Sequence, residues 1–450
     1  MNKLISCIPL ALISALLISC GGGGGGSSSS VTPTPSPTPT PTTYIAYTTT
    51  VTVPNSQGVI RSTGIIPFDA NGDGVTDLVF LPSTFNTGSD LPAFAITSQA
   101  STAVYSGSNY WNQSFTTGFS KDWWVRDVNN DGKVDLTWID HGLELSGGFE
   151  NGNNASLISS GANVLNYNIL PGGRAFYHGG AMYNQTGATT PSLLVAHFTN
   201  ALNLYSPINN QAPSLSTLSF GSDFNYSQPG AVSTIRMVTG GTSIVAGSYT
   251  KPNPSDASGH FGFYAQTGNV LTEIVANRLT FPTYWNINNL GAFAIISGDF
   301  RGVGYDDLIV LGETVSLSNY IRNVLYLQQQ PNGQFIDATS SNLSGVASLI
   351  NQSDKLVPFD VNHDGYPDLV GFSYSNGSYV NGFGLFLNNG RGGFTSANFG
   401  DSSLSGVANF PIFSTNSDGS WKNLIGIYGV STPNQTSVQI TQWRTQQYGN

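Results

Sequence analysis

Residues 127–136 read DVNNDGKVDL, and the meaning of that stretch decides the fold. Five of its ten positions are Asp or Asn, in a chain that is only 9% charged. The same spacing returns as DANGDGVTDL from Asp69 and DVNHDGYPDL from Asp360. Short apolar runs flank every copy: IIPF, WWVR and LVPF before, DLVF, DLTW and DLVG after. Runs of that length bounded by turn residues read as strands, so each acidic stretch is a tight loop between two strands.

The loops set a period. A weaker copy, DFRGVGYDDL, starts at Asp299, and a still weaker one, STNSDGSWKNL, at Ser414. The 172 residues between Asp127 and Asp299 are close to three spacings, so two more copies are expected inside them. NQTGATTPSL from Asn184 and MVTGGTSIVAG from Met237 stand at the right places. A second marker, a short alternating strand, follows each loop: FAI at 94, LEL at 143, LNL at 202, FGF at 261, LYL at 325, LFL at 385 and VQI at 438. Residues 44–450 thus divide into seven units of about 58 residues, the size of a four-stranded sheet with its loops. A β-solenoid has far shorter repeats, and separate sandwiches need no common period. The expectation is an all-β chain forming a single seven-bladed β-propeller with four-stranded blades. The last unit stops after its third strand, while YIAYTTTVTV from Tyr44 is spare. That N-terminal strand is expected to complete the last blade and close the ring.

Composition agrees. The chain has 450 residues, 53 Gly, 23 Pro and 12% aromatics, but only four Glu and six Lys. Turn formers with aromatics favour strands over helices. A net charge of −10 with no basic run argues against nucleic-acid binding.

Residues 1–19 have the form of a signal peptide: one Lys, an apolar run and small residues before Cys20. Leu17-Ile18-Ser19-Cys20 resembles the lipobox of bacterial lipoproteins. That resemblance implies lipid on Cys20, membrane attachment through the lipid alone and, with Gly21 next, the outer membrane. Residues 20–43 are the lipidated Cys, a flexible Gly/Ser run and VTPTPSPTPTPTT. The Thr-Pro part favours polyproline II at about 3.1 Å per residue and so reaches about 40 Å. Cys7 leaves with the signal, so no disulfide staples residues 44–450.

The D-x-N-x-D-G-x-x-D-L loop, followed by LYLQQQPNGQF or LFLNNGRGGF, resembles the FG-GAP/VCBS-type repeat shared by integrin α-chain propellers. The resemblance spans residues 44–450 and is strong in units one, two and six. In it the loops hold Ca2+. The residues agree independently. Asp69, Asn71, Asp73 and Asp77 offer side-chain oxygens with the backbone carbonyl of Val75. Asp127, Asn129, Asp131 and Asp135 do the same with Lys133, and Asp360, Asn362, Asp364 and Asp368 with Tyr366. All donors are oxygen, which suits Ca2+ with 6–8 ligands better than Zn2+ or Mg2+. The helix–loop–helix calcium hand needs Glu at its twelfth position, where Phe80, Trp138 and Gly371 stand. About three structural ions are expected. At Asp299 the pattern breaks: Arg301 and Val303 replace two ligands, and the Arg301 guanidinium is expected where an ion would sit. Gly132 is expected to make the turn, where a Cβ would clash.

No catalytic constellation stands out. The five His lack metal-ligand spacing, and Glu144 and Glu150 are the sole carboxylate pair suggestive of sugar chemistry. Trp111, Trp123, Trp124, Trp285 and Trp443 offer either sugar-stacking faces or packing between sheets. The leading expectation is a non-enzymatic, monomeric surface protein that recognises a protein or glycan. The alternatives are a structural subunit of an envelope complex and a calcium-stabilised polysaccharide-degrading enzyme.

Overall fold

The computed structural model describes residues 44–445 apart from loops, the longest being 53–64, 71–76, 82–90, 99–104, 207–212, 221–228, 249–260, 275–281, 315–320, 373–382, 398–407 and 430–436. Residues 1–43, with the signal and Cys20, lie outside the described residues. So do Asn71, Asp73, Val75 and Asn362.

The described chain is all-β, built from four-stranded antiparallel meanders. After β1 (Tyr44–Thr52), the first sheet holds β2 (Ile65–Phe68), β3 (Asp77–Phe80), β5 (Phe94–Ser98) and β6 (Tyr105–Ser108). A two-residue bridge joins β4 (Leu91–Pro92) to β7 (Thr116–Thr117). The second sheet holds β8 (Ser120–Arg126), β9 (Asp135–Asp140), β12 (Ala155–Ser159) and β13 (Leu165–Ile169). Between β9 and β12 stands a separate hairpin, β10 (Leu143–Leu145) with β11 (Gly148–Glu150). Here the structure corrects the sequence reading: LEL at 143 is not the third strand of its unit. That place belongs to ASLIS, whose residues pair with β9 from Ala155↔Trp138 to Leu157↔Leu136. The hairpin is an insertion that carries the same alternation as the strand it was mistaken for.

The third sheet holds β14 (Tyr177–Tyr183), β15 (Ser192–His197), β16 (Ala201–Ser206) and β17 (Ser214–Phe220). The fourth holds β18 (Pro229–Arg236), β19 (Thr242–Ser248), β20 (Phe261–Thr267) and β21 (Val270–Glu273). These two are joined at their last strands, where β17 and β21 pair in parallel over Ser219↔Val270 and Phe220↔Leu271. The fifth holds β22 (Gly291–Gly298), β23 (Asp307–Glu313), β24 (Arg322–Gln329) and β25 (Phe335–Asp337), with two helical turns after it. The sixth holds β26 (Lys355–Phe359), β27 (Asp368–Phe372), β28 (Phe383–Asn388) and β29 (Phe394–Ala397). The last holds β30 (Ala408–Thr415), β31 (Trp421–Gly429) and β32 (Ser437–Thr445). Its outer strand is β1, antiparallel to β32 from Tyr44↔Thr445 to Thr52↔Ser437.

The second strands explain how these sheets pack. DLTWID, SLLVAH and DLIVLGE are apolar on both faces and are buried nearly throughout. Such strands suit a sheet covered on both sides. Side chains alternate between the two neighbours. Leu136 and Trp138 of β9 pack with Ile66 and Val79 of the first sheet. Ile139 packs with Leu193 and Val195 of the third. Leu194 and Ala196 turn the other way, toward Val232 and Ile244 of the fourth sheet. In β23, Leu308 and Val310 face the fourth sheet, and Ile309 and Leu311 the sixth. The first six sheets therefore stack in chain order. Each buried Leu, Ile or Val contributes about 1.5–3 kcal/mol.

Candidate functional site

Every acidic loop joins the first strand of a sheet to the second. Three loops with described turns share one set of hydrogen bonds. The leading Asp accepts two backbone N–H groups from its own loop. Asp127 takes those of Asp131 and Gly132 at 3.2 and 2.9 Å. Asp360 takes those of Asp364 and Gly365 at 3.1 and 2.9 Å. Asp299 takes those of Val303 and Gly304, both at 2.8 Å. The sixth residue is glycine with positive φ each time: Gly132 at 85°, Gly304 at 86°, Gly365 at 87°. A Cβ at any of these would meet nothing within 4 Å. Glycine is thus required for its backbone angle rather than for space, contrary to the clash expected from sequence.

The last Asp of each loop does different work. Asp77, Asp135, Asp307 and Asp368 are fully buried. Asp135 accepts Val128 N–H at 2.8 Å and, from the end of the third strand, Ser159 N–H at 2.6 Å. Asp307 accepts Gln329 N–H at 2.9 Å and Asp368 accepts Asn388 N–H at 2.7 Å, at the corresponding ends of β24 and β28. Asp77 accepts Ala70 N–H at 3.1 Å. Asp77 and Asp135 so fasten the loop, and Asp135, Asp307 and Asp368 the third strand, to the start of the second strand.

Charge compensation separates the loops. At Asp307 the Arg301 guanidinium lies bidentate across the carboxylate, both contacts 2.8 Å, and also donates to Gln329 O at 2.6 Å. Tyr326 Oη donates to the same carboxylate at 2.8 Å. The expected internal ion pair is present. At Asp135 no guanidinium stands in among the described residues. Burial pushes its carboxyl up to about 6, against the pull of the Ser159 and Val128 N–H groups. Asp131, despite burial that raises it, is held below its ordinary value by Ser159 Oγ, Lys133 N–H and the Asn129 amide.

The side-chain oxygens of Asp127, Asn129, Asp131 and Asp135, three of them carboxylates, have the donor chemistry of a hard divalent cation. These oxygens are engaged by backbone N–H groups and, at Asp131 Oδ2, by Ser159 Oγ and Asn129 Nδ2. Among the described residues no group of three or more acidic, His or Cys side chains is drawn together. Asn129 donates Nδ2 to Asp131 Oδ2 at 3.2 Å and to Ser159 O at 3.0 Å, while its Oδ1 accepts the Asp131 N–H at 3.0 Å. In the loop from Asp360, the ring of Tyr366 lies against the α-carbons of Gly302 and Gly390 and would be struck by a Cβ at either. The first loop can be followed only at Asp69, Ala70 and Asp77.

Neighbouring loops touch. Asn130 donates to Thr189 O in the third unit's loop at 3.1 Å. Arg236, at the end of β18, grips Asp306 with Nε and Nη2 at 2.9 and 2.7 Å. Nothing in the sequence pattern pairs Arg236 with Asp306, because the partners are 70 residues apart.

A second feature was missed in the sequence. The first strands β8, β14, β18, β22 and β26 line a common cavity of about 350 Å³. Lys121, Asp122, Trp123 and Trp124 line it from β8, and Lys355 from β26. Lys355 Nζ meets Asp122 Oδ1 at 2.8 Å and lies 4.4 Å from the centre of the Trp123 ring. Trp123 and Trp124 are half-buried, whereas Trp111 and Trp285 are core residues at 7% and 0% exposure. The signal available in sequence was scarcity: two of the six lysines stand here.

No protein-family model matches the chain, and no curated protein matches its sequence. Among solved structures it is similar to BBS1N in complex with ARL6DN, soaked with lead: TM-score 0.46, 8% identity, 91% of this chain and 99% of that one. The mercury-soaked form gives 0.44 at the same identity and coverage. A "putative exo-beta-1,3-galactanase" from Bifidobacterium bifidum s17 gives 0.36 at 10% identity, over 67% of this chain and 98% of that one.

Proposed function

We propose that the chain is a calcium-stabilised, seven-bladed β-propeller lipoprotein, held at the outer membrane by lipid on Cys20, that recognises a protein or glycan at the cell surface. The observation that carries the reading is the pairing of β1 with β32, which puts both ends of the folded region in one sheet. Consecutive stacking of the first six sheets supports a ring, as does the approach of β30 to both β2 and β28. A rigid ring on a tether of about 40 Å suits display beyond the membrane. The loops from Asp69, Asp127 and Asp360 would hold Ca2+, which supplies positive charge to buried carboxylates. The chain's own residues make the turns and fasten the strands.

The test is cellular. Cells making the wild-type chain should label with a membrane-impermeant reagent and adhere to a protein- or glycan-coated surface. Cells carrying Cys20→Ala should release the protein and lose adhesion. Wild-type protein found free in the soluble fraction, or adhesion unchanged by deletion, would sink the reading.

A further inference from the structure

We propose that the Lys355–Asp122 pair is a clasp that keeps the second to sixth sheets curled around their shared cavity even when the β1–β32 ladder opens. The clasp itself needs no membrane anchor; only the load it would meet in a cell rests on the function proposed above. Sheets two to six form an unbroken stack. Ile139 packs with Leu193, Leu194 with Val232, Ile235 with Leu308, and Ile309 with Leu369. Such a stack need not bring its end sheets together. Here its two ends meet: the first strands β8 and β26 line the same cavity, and Lys355 Nζ lies 2.8 Å from Asp122 Oδ1. By contrast, Arg236–Asp306, Arg301–Asp307 and Arg322–Glu313 lie within one sheet or between adjacent ones.

Both ends of the clasp are held stiff. Trp123 packs against the core shared with the first sheet and Trp124 against that shared with the third, so β8 is wedged between its two neighbours. A bulge between Ser120 and Asp122 breaks the ladder just before the acid, an irregularity of the kind that re-aims a side chain. On the other strand, Leu356 beside Lys355 is buried in the core shared with the fifth sheet. The Trp123 ring, 4.4 Å from Nζ, gives the ammonium a second hold. The Lys355 side chain is 12% exposed and that of Asp122 30%, so the pair is better shielded than an ordinary surface contact. An exposed pair adds almost nothing, whereas removing one partner of a shielded pair strands the other charge. The first sheet and the last, which carries β1, lie outside this five-sheet run. Their ladder can therefore part while the cavity keeps its shape.

The experiment uses the full mature chain with Cys20→Ala, which then has no native cysteine. Nitroxides on Ile169→Cys and Ser396→Cys, exposed positions on the outer strands β13 and β29, report the separation of the second and sixth sheets by pulsed electron resonance. Thr48→Pro with Thr49→Pro opens the ladder, since alternate residues of β1 donate to β32. The ladder-opened chain should keep one narrow distance. Adding Asp122→Asn or Lys355→Met should broaden that distance and lengthen it by about 10 Å, one sheet spacing. Lys355→Arg should leave it narrow. Asp122→Asn strands a cation; should that chain not fold, Lys355→Met decides, because a lone Asp122 still reaches water. A distance that broadens on ladder opening alone, or that stays narrow without Lys355 or Asp122, overturns the proposal. Loss of surface labelling and adhesion with the distance behaving as expected removes the proposed function and leaves the clasp; a distance that broadens on ladder opening alone, with labelling and adhesion intact, does the reverse.

Discussion

Gly132, Gly304 and Gly365 hold φ between 85° and 87° with open space around each α-carbon. Gly132→Ala should therefore cost about 1 kcal/mol through backbone strain alone, with no repacking, as measured by denaturant unfolding. A much larger loss would mean that a neighbour meets the new methyl. Arg301 makes a sharper case. Its guanidinium neutralises Asp307, whose side chain is only 1% exposed. Arg301→Ala would strand a buried carboxylate and should cost about 3 kcal/mol. Arg301→Asn combined with Val303→Asp rebuilds the acid spacing of the loop from Asp127. It should recover stability only when Ca2+ is added, with one more ion per chain in a metal titration. Recovery in chelator, or no extra ion, would contradict the view that guanidinium and cation are interchangeable here. Asp299, Arg301 and Asp307 were legible from sequence because the motif survives around the exchange. Gln329 and Tyr326, which complete the same cluster, were not, since only the fold brings the third strand to the loop.

At the level of elements, Tyr366 couples two loops. Its ring sits against Gly302 of the fifth unit's loop and Gly390 of the turn after β28. Its carbonyl is at the seventh position of the sixth unit's acidic loop. Tyr366→Ala should raise amide hydrogen exchange across residues 299–306 while leaving β23 protected. Exchange confined to residues 360–368 would show that the loops open independently. The strands themselves were legible wherever apolar alternation and turn residues coincided, as in LYL at 325 and LFL at 385. LEL at 143 shows the limit of that signal. An alternating triplet cannot distinguish a sheet strand from an inserted hairpin, and only its pairing with Gly148–Glu150 settles which it is. The cavity was illegible for a related reason. Lys121, Asp122 and Lys355 are joined by no spacing, and a separation of 233 residues is closed only by the stacking of whole sheets.

For the whole molecule, the last sheet is completed by a strand from the opposite end of the chain. Thr48 pairs with Thr441 in that ladder. Thr48→Cys with Thr441→Cys should form a disulfide under mild oxidation. The oxidised chain should unfold more slowly than the reduced one, because separating β1 from β32 no longer opens the fold. Thiols that stay free, or equal unfolding rates, would argue against that pairing as the weak seam. The spare N-terminal strand was visible in sequence because the last unit is one strand short; its register was not. That register has a mechanical consequence. Tension carried along the chain from residue 43 enters the fold at Tyr44, the first residue of a nine-residue strand. Pulled along its length, β1 must slide against β32 with its hydrogen bonds loaded together. Pulled sideways, it would lose them one after another. Under the anchoring proposed at Cys20, any pull along β1 would load that whole ladder in shear, so the strand that finishes the sheet would also be the one that resists its being dragged apart.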